Sequence, residues 1–338
     1  MGVFSSSLIR IGTLAAVLTG IFKVLDNLNV RHVFGVPEDP IVSSLTYLIA
    51  GSWTISAMTA LLAVTRGKRT DPEFKTLLQG GWAFHSRAAI SGILAATGTF
   101  CYFIGYQLGD PAALVPLTMA PMLFTAMYER KSLKAQGVLW TIIGFFGAML
   151  AGYTGVVQTT AESVLIVLVV AGSLYAFSEI IEKAVVSKRD SLGREVEPLS
   201  NSITFNFWRI TYFALLGTGA SLLYTTLTDK TDVLISSVLA VRWGWVLLIL
   251  GLGCATLSNI LVGILKKQEF VTPILVTRST QVVVAYALTL IAEFIYPGVF
   301  GGLPDIGVWF VRILGAVVLI AAIYYIKKVA ETTNNTPR

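Results

Sequence analysis

Charge is what this sequence has least of: only 13% of its 338 residues are Asp, Glu, Lys or Arg. A soluble domain carries about 25%, so the chain cannot cover a globule of its size in water, and a water-soluble protein is excluded. Cysteine is nearly absent too. Cys101 and Cys254 both fall inside apolar runs, which supports neither a disulfide framework nor a zinc cluster. The two histidines, His32 and His85, have no H-E-x-x-H or C-x-x-C spacing beside them, so no metal and no cofactor is expected. No Ser, His and Asp set can be assembled and no P-loop occurs. The sequence therefore offers no catalytic residues, argues against an enzyme, and leaves ATP-driven pumping by this chain unsupported.

What is abundant is apolar length. Hydrophobic residues make up 55% of the chain and recur in runs of about twenty, the length that spans a hydrocarbon core of roughly 30 Å. Ten candidate helices result, at 8–28, 41–64, 88–108, 111–128, 136–156, 163–185, 204–225, 243–265, 271–292 and 306–326. The fourth is short and holds Pro116 and Pro121, which a membrane helix tolerates where neighbours satisfy the freed carbonyls. The first run continues into Lys23, Asp26 and Asn27 without a small-residue cleavage site, so it reads as a retained helix.

The net charge of +6 belongs to topology rather than to nucleic-acid binding. With the N-terminus inside, alternate loops hold 18 of the 25 Lys and Arg residues, and the opposite side holds Arg31, Lys230 and Arg242. That asymmetry over short loops places both termini in the cytoplasm, as expected of an integral protein of the cell (inner) membrane. The longest loops, about 65–87 and 187–203, are too short to fold alone. The segment 331–338 reads as a flexible cytoplasmic tail.

The chain divides into two five-helix sets, 1–159 and 160–330. Five is odd, so the second set enters from the opposite side, and any similarity between the halves is an inverted repeat. Gly92–Thr97 in the third span compares with Gly251–Thr256 in the eighth. The next span in each half carries a proline near its start, Pro111 or Pro273, and ends near Glu129 or Glu293. The expected fold is an all-α polytopic membrane protein of ten transmembrane helices in two inverted repeats. In layout, and in the stretch 111–153 with Pro116, Pro121, Glu129-Arg130 and glycines 144, 147 and 152, the chain resembles the drug/metabolite transporter superfamily, in particular its EamA-like branch. The second copy departs from that pattern, with Thr280 and Gln281 where a proline is expected. The resemblance implies a central cavity lined by spans one to four and six to nine, with five and ten outside.

A charge inside a span is a site candidate by default, because it is expensive without a polar surrounding. Arg278 lies within about 5 Å of the middle of the ninth span, with Thr277 and Gln281 beside it. Arg209 in the seventh span and Glu179 in the sixth come out at nearly equal depth, which permits a pair. In the first span Thr19, Lys23, Asp26 and Asn27 share a face. Tyr102 of the third span either lines a cavity or packs at the interface. The candidate substrate contacts are thus Lys23, Asp26, Tyr102, Glu179, Arg209, Arg278 and Gln281. Arg312 reads as a headgroup contact, the tryptophans at 208, 243, 245 and 309 as interfacial belt, and Gly144, Gly147 and Gly152 as helix contacts.

These features point first to a secondary carrier for a small polar metabolite bearing a carboxylate or phosphate, anionic or zwitterionic, since arginine suits such groups through its fork of donors. The alternatives are a membrane-embedded enzyme or scaffold acting on lipid, which would need clustered acids, bases or metal ligands at one interface, and a channel, which would need rings of like groups. The expected partners are the small-molecule substrate and membrane lipids, not nucleic acid, with a homodimer left open.

Overall fold

The computed structural model describes residues 3–32, 40–108, 114–153, 155, 160–188, 196–239, 244–267, 269–298 and 305–334. Among them every regular element is helical: α1 (Val3–His32), α2 (Pro40–Thr70), α3 (Trp82–Leu108), α4 (Val115–Tyr128), α5 (Arg130–Ala151), α6 (Ala161–Val186), α7 (Ser202–Leu227), α8 (Thr231–Leu239), α9 (Gly244–Lys266), α10 (Val271–Ile295) and α11 (Ile306–Asn334). Eight of these are long and apolar enough to cross a membrane, and α4 is a shorter apolar helix. In hydrocarbon, helices alone satisfy every backbone donor and acceptor within the segment. Leucine, isoleucine, valine and phenylalanine stand exposed around the bundle, a surface suited to lipid. The chain is therefore a polytopic, all-helical membrane protein.

Helix ends follow local chemistry. Asn201, after Pro198, accepts the Thr204 N–H at 2.9 Å and starts α7, and Thr160 does the same for Ser163 at 3.1 Å in α6. α4 opens as a 3₁₀ turn, Val115–Met119, and becomes α-helical at Pro121; Pro111 lies outside the described residues. α6 contains a π turn over Ile166–Ala171, and α10 tightens around Ser279 and Thr280. α8 is a helix the sequence reading did not separate; Leu234 buries it against Val42 and Leu45 of α2. α11 runs on through 331–334, so the first half of the expected tail is helical, and 335–338 lie outside the described residues.

Prominent packing pairs include α5 with α11, α2 with α7, α1 with α9, α3 with α6, α1 with α10, α4 with α6, α3 with α7, α4 with α5, and α2 with α9. Glycine allows the tightest of them. A Cβ on Gly147 would stand 2.8 Å from the Leu319 nitrogen and 3.1 Å from the Gly315 oxygen, the close backbone approach that small residues give in membranes. The similar stretches of α3 and α9 differ in setting, since Thr97 faces outward while Thr256 is buried.

Candidate functional site

A cavity of about 340 Å³ opens between the helices. Its walls come from α1, α2, α3, α4, α6, α7, α9 and α10, and α5 and α11 contribute no described residue. Six aromatic rings, Phe22, Tyr47, Tyr102, Phe103, Tyr175 and Phe213, line it. Tyr102 stacks on Tyr175 with ring centres 5.1 Å apart and planes at 17°, and Thr99 hydrogen-bonds the Tyr175 hydroxyl. Tyr102 is thus a cavity residue rather than an interfacial anchor.

The cavity floor is charged. Glu179, Arg209, Asn259, Arg278 and Gln281 face it, and behind them sit Glu182 and Lys266, both buried. The pair anticipated between Arg209 and Glu179 is present but loose, at 3.9 Å. The tighter partner is Glu182, whose carboxylate takes Arg209 Nη1 at 2.8 Å and Lys266 Nζ at 2.7 Å. Lys266 also donates to Glu179. Asn206 donates to Glu182 at 3.3 Å from the same helix as Arg209. Paired and hydrogen-bonded in this way, buried ions can remain ionised where an isolated one could not.

Arg278 differs from the others. Its Nη2 donates to the neutral Asn259 carbonyl at 3.0 Å, and its Nε is buried with no hydrogen-bond partner. Gln281 is similar: its amide nitrogen meets only the Met119 sulfur, at 3.3 Å, and its amide oxygen has no partner. Among the described floor residues and those behind them, three cations, Arg209, Lys266 and Arg278, face two carboxylates, Glu179 and Glu182. Lys23 lies on the α1 wall, its Nζ 5.6 Å from the Phe22 ring centre. The side chains of Asp26 and Asn27, though α1 is helical there, fall outside the described residues, as does that of Tyr106.

Several assignments change. Lys266, which directly follows the expected span 243–265 and so counts among the 18 basic residues of the cytoplasmic loops, is the most deeply buried cation of the site. Glu182 was available from the sequence: it stands three residues after Glu179, on the same helix face, and two carboxylates on one buried face demand cations at their depth. Arg312 is not a headgroup contact. It is 8% exposed, stacks 3.4 Å over the Tyr286 ring and donates to the Tyr153 carbonyl, which knits α10, α11 and the end of α5. Trp208 is no belt residue either, since its indole N–H donates to the Leu77 carbonyl at 2.7 Å and its ring packs on His85. Among the described residues no cluster of three or more His, Cys, Asp or Glu can hold a metal ion.

No family model and no curated protein matches the sequence. Sixteen chains of solved structures do match. One, a crystal structure, is 17% identical with a TM-score of 0.63 over 98% of this chain and 99% of its own. At that identity the likeness speaks to the fold, end to end, and not to activity.

Proposed function

We propose that the chain is a secondary carrier that moves a small polar metabolite with an anionic group, such as a carboxylate or phosphate, by alternating access, and that it is related to the EamA-like branch of the drug/metabolite transporters. The observation that carries this reading is the cavity floor, where Arg278, hydrogen-bonded to the neutral Asn259, lines a space walled by eight helices. With three cations set against two carboxylates, the floor carries an excess of positive charge, which is costly in a membrane interior unless an anion completes it. Arg278 and Arg209 take the substrate anion in this scheme, Gln281 supplies an amide to a neighbouring polar group, and Tyr102 and Lys23 flank it. Glu179 supplies a contact for a positive group if the substrate is zwitterionic.

Ten spans in two inverted five-helix repeats, α1–α5 and α6–α11 with α8 as an inserted helix, account for the packing. Exchanging the halves turns α1 with α9 into α6 with α3, α1 with α10 into α6 with α4, and α3 with α7 into α9 with α2, and it maps α2 with α7 and α5 with α11 onto themselves. All these pairs are among the principal contacts. Alternating-access carriers place their substrate between two such repeats. The deciding experiment is flux into liposomes holding the purified protein, across a panel of carboxylates, phosphates and amino acids. Saturable uptake of a subset of these solutes supports the reading, and no flux above protein-free liposomes with any of them defeats it.

A further inference from the structure

The cavity floor has a sealed side. Measured along α7, α9 and α10, the floor residues Arg209, Asn259 and Arg278 stand six to eight residues, about 9 to 12 Å, from a second layer of polar contacts at Ser202, Lys267 and Thr272. That layer lies toward the end of the bundle where α1 begins and α11 ends, since Gly12 packs on Thr277 and Leu265, and Gly137 on Val329. Asp71, wholly buried just past α2, accepts Lys267 Nζ at 2.6 Å on one carboxylate oxygen and the Ser202 N–H at 3.1 Å on the other. Glu73 takes the same lysine at 2.6 Å and Lys188 at 2.5 Å. A few helices away, Glu129 at the end of α4 accepts the Val271 and Thr272 N–H groups, each at 2.9 Å, where α10 begins, and Lys183 of α6 at 3.3 Å.

The distribution of these groups is one-sided. Asp71, Glu73 and Glu129, all acceptors, come from residues before 160, whereas every donor they take across the bundle comes from residues after it. The cavity walls, by contrast, rise from the floor toward the other end: Lys23 is in the last third of α1, Tyr47 in the first third of α2, and Phe103 near the end of α3.

We propose that the Asp71–Lys267–Ser202 contacts and the Glu129–Thr272–Lys183 contacts are two clasps of a gate that closes the cavity at the terminus-bearing end, and that the arrangement described is the state open to the opposite end. The inference rests on the carrier reading, which requires this layer to part in each cycle. Because the clasps hold one conformation only, weakening them shifts the population toward the other.

The test reads distance rather than flux. Spin labels on Lys75→Cys and Glu197→Cys, exposed positions on the two segments that Asp71 and Ser202 join, are placed in protein whose Cys101 and Cys254 are replaced by alanine. With the clasps intact one short distance is expected. Asp71→Asn and, separately, Lys267→Gln should each raise a longer-distance population on the order of tenfold, the middle of the range for allosteric coupling. Distances unchanged in both folded variants overturn the gate, and so does failure of both to fold, which makes the layer a structural strut. A widened distance without flux of any solute would keep the gate and remove the carrier, and unchanged distances with saturable flux would do the reverse.

Discussion

Arg209 and Lys266 donate to one and the same oxygen of Glu182, at 2.8 and 2.7 Å. Two cations on adjoining helices are thereby tied to a single carboxylate, and α6, α7 and α9 are held together beneath the cavity. Lys266 does not face the cavity, so its role is to neutralise Glu182 and Glu179 from behind and leave Arg209 and Arg278 as the cationic face.

Removing Lys266 should therefore be a stability lesion. Lys266→Met leaves two buried carboxylates short of a counter-ion, and breaking a buried pair in this way costs about 3 to 5 kcal/mol. The double variant Lys266→Met with Glu182→Gln removes one of the stranded charges and should recover part of the loss. Thermal unfolding of the purified protein checks both, and equal melting temperatures for the single and double variants would count against the coupling.

Much of this was legible in the sequence, and the reasons for the rest are physical. The helical spans followed from apolar runs, and a fixed rise per residue set Arg209 and Glu179 at one level, where the two side chains meet at 3.9 Å. Lys266 was misplaced because it adjoins Lys267 at a span's end, and a one-dimensional reading treats both as loop. In three dimensions Lys266 turns inward to Glu182 while Lys267 reaches Asp71. Arg312 was misjudged for the converse reason: its place near a helix end suggested headgroups, but Tyr286 and the Tyr153 carbonyl, distant in sequence, enclose it. Pairings across more than a hundred residues leave no local pattern to read.

Orientation has a direct test. The proposed orientation, which rests on the excess of Lys and Arg in alternate loops, puts the 71–81 segment and both termini in the cytoplasm. Single cysteines at Lys68 and Asp232, both exposed, should separate by side. In intact cells a membrane-impermeant maleimide should label the one at Asp232 and spare the one at Lys68 until the membrane is permeabilised. The opposite pattern would invert the molecule.

The gate layer should respond to acid through Glu73. Burial raises the Glu73 carboxyl, but hydrogen bonds and charge from Lys188 and Lys267 outweigh it and hold the group below its ordinary value. Lys188 is held above its own ordinary value, chiefly by the hydrogen bond to Glu73; Asp71 also faces Lys267. A depressed carboxylate stabilises the folded arrangement above its unfolded value of about 4.3 and loses that contribution as pH falls through the folded one. A raised lysine stabilises below about 10.4 and fails as pH rises through its folded value. The distance between labels at Lys75 and Glu197 should then stay constant through the neutral range and lengthen only in acid below about pH 4.3. Glu73→Gln should shrink that acid response.

Arg278 is where binding and folding can be told apart. A guanidinium that lines the cavity and whose Nη2 donates to the neutral Asn259 carbonyl, with no carboxylate hydrogen-bonded to it, gives little to the fold and much to an incoming anion. Arg278→Lys keeps the charge but cannot reproduce the paired donors of the fork, so it should weaken substrate binding. Arg278→Gln loses a charge-assisted contact worth about 2 to 5 kcal/mol, which is a loss of thirtyfold or more in affinity. If Arg278 were instead a strut, both substitutions would lower folded yield and melting temperature while the protein that folds kept its affinity. Titration calorimetry on the monodisperse fraction, with the solute identified by the flux panel and with yield recorded separately, distinguishes the two. Wild-type affinity in folded Arg278→Gln would take Arg278 out of the site and leave Arg209 and Lys23 as the cations within reach of a substrate anion.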